Sequence, residues 1–535
     1  MKIKKYFFAI TILIGLVLTI NGCNEDQLEL TNPNTVAEPD FFQNAADFRL
    51  AVNGMYHPIT AVFFWGRVIH TGPLLRSDAF NIVPFGQNTT MSTLQGQPGV
   101  ARWSSDMFPQ LYQTIFRANT IIEKINSTNV PNEEDRNEIL GQAYFIRAFA
   151  NWYLVNLWGN VPLVLKTPDP QNSQDFFPPQ SNPTEINAAI ISDLTKASEM
   201  LPDSWSAEEK GRPTAGSALA LRGKTYLYTK DYPKAITDLT AVTTNFSYQL
   251  LAAGQYEENF STVNENNAES VFELQFLGQA NFIWGSDIPG TGTQGNYFID
   301  YAPPELSPDN GHFINPHILQ VFEDNGDTVR RNATIAFDYP GATGYGGIPF
   351  TEDFAKDIEL ANTISLPDGS VGVPALFTKK YAGFDQGVRD QIPVLGNTVG
   401  NNWRIIRYAD VLLMLAEALN EDNKTAQAIP FINQVRERAL IAPLALTLDK
   451  AQVEQAIIDE RIMELTGEGH RFFDLVRWGI AGDILGSGST VAAGRHPKSL
   501  AGSTAVFTVG QDELLWIPVP ELQANPDNLR QNPGY

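Results

Sequence analysis

The chain has 535 residues, 43 % hydrophobic and 11 % aromatic, which is ample for a large core and excludes a disordered polypeptide. A formal charge of -23 argues against nucleic acid as a partner, because phosphate binding needs clustered Lys and Arg. The single cysteine, Cys23, excludes an intrachain disulfide framework and any multi-cysteine metal site.

The N-terminus reads MKIKKYFFAITILIGLVLTINGC. Lys2, Lys4 and Lys5 precede an apolar run from Tyr6 to Ile20, short for a membrane span and of signal-peptide length. Acids Glu25 and Asp26 follow where a membrane anchor would carry a basic flank. Gly22 before a lone Cys23 resembles the lipobox of bacterial lipoproteins. That resemblance implies removal of residues 1–22 and acylation of Cys23, and residues 23–40 then read as a polar tether.

Beyond the tether, Phe41–Tyr56 places Phe42, Ala45, Phe48, Ala51, Val52 and Met55 at helical spacing. Phe108–Ile125 and Glu138–Leu157 repeat the pattern, and Gly159 and Pro162 in LWGNVPLVL stop it and begin an extended segment. Thr167–Pro183 reads as a proline-rich loop, with helices again at Thr184–Leu201 and Thr214–Thr229. From about 253 to 401 Gly, Pro, Asn and Asp dominate, with SVFELQF (270–276) strand-like inside. Helix returns at Trp403–Leu419, Thr425–Leu440 and Lys450–Leu465, and a loop follows at Gly482–Gly502.

A repeat organises these helices. Leu219, Gly223, Tyr226, Ala235 and Leu239 recur in type and offset as Leu412, Ala416, Leu419, Ala428 and Ile432. The pattern resembles the tetratricopeptide (TPR) repeat, in which small residues let antiparallel helices pack closely. The irregular block between the two copies is then an insertion on a helical scaffold, the usual place for binding loops.

Several stretches look like chemistry. RGKT (222–225) lacks the glycine of a phosphate loop and lies within a helix. His312 and His317 are five apart with no fixed carboxylate, and DNGD (324–327) reads as a turn rather than a calcium site. A carboxylate pair for glycoside hydrolysis stays open on spacing alone. The densest cluster is DERIMELTGEGHRFFDLVRWG (459–479), a candidate for either catalysis or an ion-pair framework. The spacing of Arg461 to Glu464, Arg471 to Asp474 and Asp474 to Arg477 favours ion pairs on helix faces, with Gly467 and Gly469 breaking the helix between.

Taken in order, FRANTIIEKIN, YFIRAFANWYLVNLWGNVPLV, RPTAGSALALRGKTYLYTKDY, RYADVLLMLAEALN, FINQVRERA, ERIMELTGEGHRFFDLVRWG and LLWIPVPELQANPDNLRQNPGY resemble the SusD/RagB family of nutrient-binding lipoproteins. The resemblance implies one mainly α domain over 41–535. A TPR-like helix-pair scaffold, an α-α superhelix over about 108–245 and 403–480, would carry a large irregular, short-strand insertion at about 253–401. It implies residence at the outer membrane through a lipid anchor, facing the exterior. It also implies a SusC-like TonB-dependent transporter as partner, with this chain as its lid, and no catalysis, cofactor or metal. Arg147, Arg407, Glu417, Arg436, Arg461, Glu464, Arg471, Asp474 and Arg477 fall in the matching stretches as a structural signature.

The ligand so implied is an oligosaccharide or polysaccharide, or a peptide in some members; a surface hydrolase or a TPR adaptor are readings of other classes. Sugar binding needs aromatic faces and amide or carboxylate partners. Two glycine-flanked stretches supply them: Trp65, Asp78, Asn81 and Phe85 in 63–88, with Trp103 just beyond, and Trp284, Asp287, Asn296 and Tyr297 in 281–298. Trp152, Trp158 and Trp478 lie in helical patterns and are expected in the core.

Overall fold

A computed structural model describes residues 41–72, 74–82, 94, 96, 98, 103–128, 130–276, 312–336, 376–381, 400–486 and 507–535. Cys23, the expected lipidation position, lies outside them.

Asn44 opens helix α1 (Ala45–Thr60) by accepting hydrogen bonds from the amides of Ala46 and Asp47, and Phe48, Val52, Met55 and Ile59 form its buried face. A short helix α2 (Val68–Thr71) and strand β1 (Phe80–Ile82) follow. Helix α3 (Trp103–Ser127) begins five residues before the expected start, so Trp103 is its first residue rather than a loop residue. Helix α4 (Glu133–Trp158) has Asn132 as its cap and three acids in its first turn, where they complement the helix dipole. It stops at Gly159, whose φ of +70° suits glycine. The expected extended segment is β2 (Val161–Pro162), paired antiparallel with β3 (Gln180–Ser181). Asn182 and Glu185 then cap α5 (Pro183–Met200) reciprocally, with Pro183 in its first turn.

The first TPR-like pair is α6 (Ala215–Tyr228) and α7 (Tyr232–Asn245). A Cβ on Gly223 would lie 2.8 Å from the Leu239 side chain, so the small residue does set the approach of the two helices. Strand β4 (Ser270–Leu274), β5 (His312–Ile314), α8 (Pro316–Asp324), α9 (Thr328–Thr334), β6 (Ile335–Ala336) and β7 (Phe377–Thr378) make up the described part of the insertion. The expected helix at Trp403–Leu419 divides. Trp403–Arg407 is strand β8, where alternating and β-branched residues pair antiparallel with β4, and the helix proper is α10 (Tyr408–Glu421). It is followed by α11 (Thr425–Arg438), α12 (Lys450–Leu465), α13 (Arg471–Trp478), α14 (Ala481–Leu485) and α15 (Val519–Ala524).

Consecutive helices α3 to α7 pack one on the next, α1 lies on α3 and α4, and α7 packs directly on α10, which in turn meets α11 and α12. The two repeat copies, distant in sequence, therefore stack as neighbours around one apolar core running from Phe48 to Ile517. The insertion leaves and returns at one place, because β4 and β8 form a two-stranded neck with Ser270 opposite Arg407 and Leu274 opposite Trp403. No helix among the described residues is long and apolar enough to cross a membrane.

Candidate ligand-binding site

A four-stranded sheet in the order β1-β5-β7-β6 frames the loop side of the molecule. In its register Ile82 lies opposite His312 and Phe80 opposite Ile314. Ile82, at the head of segment 83–102, and His312, at the foot of segment 277–311, are therefore neighbours, and these two segments hold most of the expected ligand residues. Phe85, Trp284, Asp287, Asn296 and Tyr297 lie outside the described residues. Asn81 sits in β1 opposite Phe313, with its side chain outside the description. Trp103 is half-buried at the start of α3.

The other two expected ligand residues are placed differently. Trp65 is 4 % exposed and packs in an aromatic cluster, its ring centroid 5.7 Å from that of Trp403, 5.8 Å from Tyr153 and 5.2 Å from His70. Tyr381 stacks on the far part of this cluster, 3.9 Å from Trp403. The glycines around Trp65 suggested a loop platform, but the turn they form folds the indole inward. Asp78 is 3 % exposed, and Arg471 occupies both its oxygens, Nε to Oδ1 and Nη2 to Oδ2 each at 2.8 Å. His317 Nε2 is also 3.2 Å from Oδ2. Burial alone would raise this carboxyl, and the Arg471 guanidinium more than reverses it, so Asp78 stays ionised. Neither residue presents a surface to a ligand; both build the floor under the sheet. His317, expected to be a satisfied loop histidine rather than a metal ligand, has its partner in this clamp but stands in the first turn of α8, and Asn315 Nδ2 adds a bond to the Asp78 carbonyl at 2.5 Å.

The enzyme-like cluster is consumed in ion pairs, though not mostly those that helical spacing suggested. Arg461 does not meet Glu464; it bonds Asp474 and Asp410, at 2.8 Å each. Arg471 meets Asp78 instead of Asp474. Only Asp474 and Arg477 pair as expected, at 2.8 Å, and Arg477 and the Trp478 indole both donate to Glu417. Trp478 is accordingly half-buried rather than in the core, whereas Trp152 and Trp158 are buried as expected.

Glu464 is the hub of a second, fully buried network. It accepts from Arg407 at 2.6 Å, from Arg438 at 2.6 Å through both oxygens, and from Arg330 at 2.9 Å. Around it Glu269 takes Arg407 and Arg438, Glu468 takes Arg407 and Lys380, and Glu460 takes Arg330 and Arg436. The Tyr256 hydroxyl donates to the Glu464 carbonyl, and its ring lies 4.7 Å from the Arg438 guanidinium. Arg407 and Arg330 are held above their ordinary range against the pull of burial, and Glu464 well below its own. Arg147 closes a smaller network with Asp193 and Asn119 at 2.7–2.8 Å.

Sequence reasoning missed Glu269, Arg330, Lys380, Arg438 and Glu468 as members. Arg438 and Glu468 stood within quoted stretches; the others are ordinary-looking charges in a loop-rich block. Their effect is clear in space: Arg330 and Lys380 belong to the insertion, so the network fastens it to β8, α11 and α12. His470 lies beside this frame. Burial and the Lys224 ammonium, 3.2 Å from Nδ1, push it down to about 4, so it is neutral and accepts from Lys224. No cluster among the described residues could hold a metal ion.

Comparison with known proteins places this arrangement. The family model described as "SusD family" matches residues 268–535, and one described as "Starch-binding associating with outer membrane" matches 88–227. "SusD-like protein P2" of Formosa agariphila is 28 % identical over 99 % of this chain and 100 % of its own length. A SusD superfamily protein from Bacteroides vulgatus aligns with a TM-score of 0.74 at 26 % identity, covering 92 % of this chain and 100 % of that one. A laminarin-binding SusD-like protein aligns with a TM-score of 0.71 at 27 % identity over 92 % and 100 %. A family match over half the sequence and a fold shared across nearly all of it agree with the buried signature: the chain belongs to the SusD family.

Proposed function

We propose that the chain is a glycan-binding lipoprotein of the outer membrane, anchored through Cys23 and facing the exterior. It captures oligosaccharide or polysaccharide without chemical turnover and delivers it to a SusC-like TonB-dependent transporter, over which it acts as a lid. The observation that carries the ligand reading is the register of β1 and β5. It sets the head of the amide-rich segment 83–102 beside the foot of the aromatic- and amide-rich segment 277–311. The likeness to a laminarin-binding SusD-like protein supports the same ligand class. The absence of turnover is supported by the state of most titratable groups at 459–478: Glu460, Arg461, Glu464, Glu468 and Asp474 are buried and taken up in ion pairs, and Arg471 is committed to Asp78.

The test titrates the purified chain with neutral hexasaccharides, laminarihexaose among them, while reducing ends are assayed. Binding without sugar release, markedly weakened in Trp284→Ala/Tyr297→Ala, is the expected result. Release of sugar removes the non-catalytic reading, and an affinity unchanged by the double substitution removes the loop site. In cells, Cys23→Ala is expected to shift the protein out of the membrane fraction, and the transporter is expected to co-purify with the wild-type chain.

A further inference from the structure

Two adjoining cavities open beside the β4–β8 neck, entirely within the described residues. The larger, about 390 Å³, has Asp203, Trp205, Tyr248 and Asn266 in its wall, and the smaller, about 240 Å³, has Asn53, Tyr56 and Gln275. The strap Lys210-Gly211-Arg212 borders both. The larger alone falls in the range of small-molecule pockets, roughly 300–1,000 Å³.

The walls are fixed in place. The Trp205 indole donates to the Pro213 carbonyl at 2.8 Å. The Tyr248 hydroxyl is 2.5 Å from Thr214 Oγ1, and its ring lies where a Cβ on Gly216 would come within 2.7 Å, so glycine makes room for it. Gln275 and Asn266 exchange amide hydrogen bonds at 2.8 and 3.0 Å, and Asn402 adds another to Gln275 at 2.8 Å. The strap is pinned by Arg212, which donates to Gln142 at 3.0 Å and to Asn53 at 2.9 Å. At its crest Gly211 has φ +100° and sits so close to Gln275 that a Cβ would be 2.4 Å from Cδ. The strap backbone therefore packs directly on the Gln275 amide at the boundary of the two cavities.

Asp203 and Lys210 stand exposed at the rim. Neither has a hydrogen bond or ion pair in the structure, so both are available to hydroxyl groups. The lining holds more carboxylates (Asp203, Glu208, Glu209, Glu273) than cations (Lys210, Arg212), which disfavours an anionic ligand. Fixed aromatic rings, amides and a glycine crest in an acidic surround suit a neutral polyhydroxyl chain.

We propose that the neck cavities form a second saccharide subsite, for a neutral oligosaccharide, built from the described residues Asp203, Trp205, Lys210, Tyr248 and Gln275. The proposal rests on the glycan-binding reading above. It is tested by calorimetry on the full chain with laminarihexaose, maltohexaose and cellohexaose, and with an oligouronate as the anionic control. Three forms are compared: wild type, Trp284→Ala/Tyr297→Ala, and that double variant carrying Asp203→Ala/Lys210→Ala as well. At least one neutral hexasaccharide is expected to keep residual affinity for the loop variant. The rim substitutions should weaken that residual by about tenfold, an effect the size of one lost hydrogen bond to a charged group. The oligouronate should bind none of the forms. Loss of all binding in the loop variant overturns the neck subsite and leaves the loop site standing. Residual binding untouched by the rim substitutions also overturns it. No binding of any hexasaccharide to wild type overturns the glycan reading and the subsite together.

Discussion

Arg471, the first residue of α13, grips Asp78 through both carboxylate oxygens across 393 positions of sequence. Asp78 lies two residues before β1, and β1 pairs with β5. The family-signature segment is thus the mechanical base of the two strands from which the proposed ligand segments start. A bidentate guanidinium–carboxylate pair fixes orientation as well as distance, which suits a part that must hold loops in register.

Asp78→Asn keeps the side chain's size and removes its charge, leaving Arg471 buried without a counter-ion. The expected cost is about 3–5 kcal/mol, the usual range for breaking a buried pair from one side. Amide exchange should rise first at Phe80–Ile82 and His312–Ile314. Unchanged protection at those strands would show that the clamp does not hold the sheet.

Glu464 faces three arginines, and Glu464→Gln leaves them short of one charge in the interior. A loss of about 3–5 kcal/mol in urea unfolding is expected by the same reasoning. The exposed pair Lys166–Asp175 serves as the contrast: Lys166→Ala should leave the urea midpoint where it is, because solvent screens that interaction. Equal effects at the two positions would remove the claim that the network carries the attachment of the insertion.

The helical scaffold was legible because its signals are local. Caps such as Asn182 with Glu185, periodic apolar faces and the Gly223/Leu239 spacing act within one or two helices. The site was less so, because its contacts are not local. Trp65 and Asp78 have the composition of a binding loop, and nothing in the neighbouring residues reveals Trp403 above one or Arg471 beside the other. The error at Trp403–Arg407 has the same cause: an apolar run before a helix reads as helix until its partner strand, β4, is known. For the same reason, spacing of three residues named ion pairs that a closer charge on another element outcompeted, as at Arg461 with Asp410.

Gly223 tests the repeat directly. Gly223→Ala places a Cβ 2.8 Å from Leu239, and overpacking of this kind costs about 1–3 kcal/mol. Leu239→Val beside it withdraws the clashing methyl, so the double variant should regain part of the loss. The measurement is a double-mutant cycle by urea denaturation. Strict additivity would mean that the two residues do not set the α6–α7 distance.

His470 gives the chain a pH dependence with a calculable sign. Burial and Lys224 lower its folded value to about 4, below its ordinary 6.5, and Arg461 lowers it further while Asp410 and Glu468 oppose. Above pH 6.5 the ring is neutral in both states and contributes nothing to the pH dependence. Between 6.5 and 4 the unfolded chain takes up a proton that the folded chain refuses, so stability falls as the pH falls. Below 4 both states are protonated and the penalty is complete, of order 3 kcal/mol. The facing carboxylates Asp410 and Asp474 are held low by Lys224 and Arg461 in spite of burial, and their contribution is lost only at lower pH. His470→Gln retains an acceptor for Lys224 and cannot take up the proton. Urea midpoints at pH 7.0, 5.5 and 4.5 should therefore converge in the variant relative to wild type. Parallel profiles for the two proteins would show that folding does not shift the titration of His470, and that the Lys224 contact is not the one described.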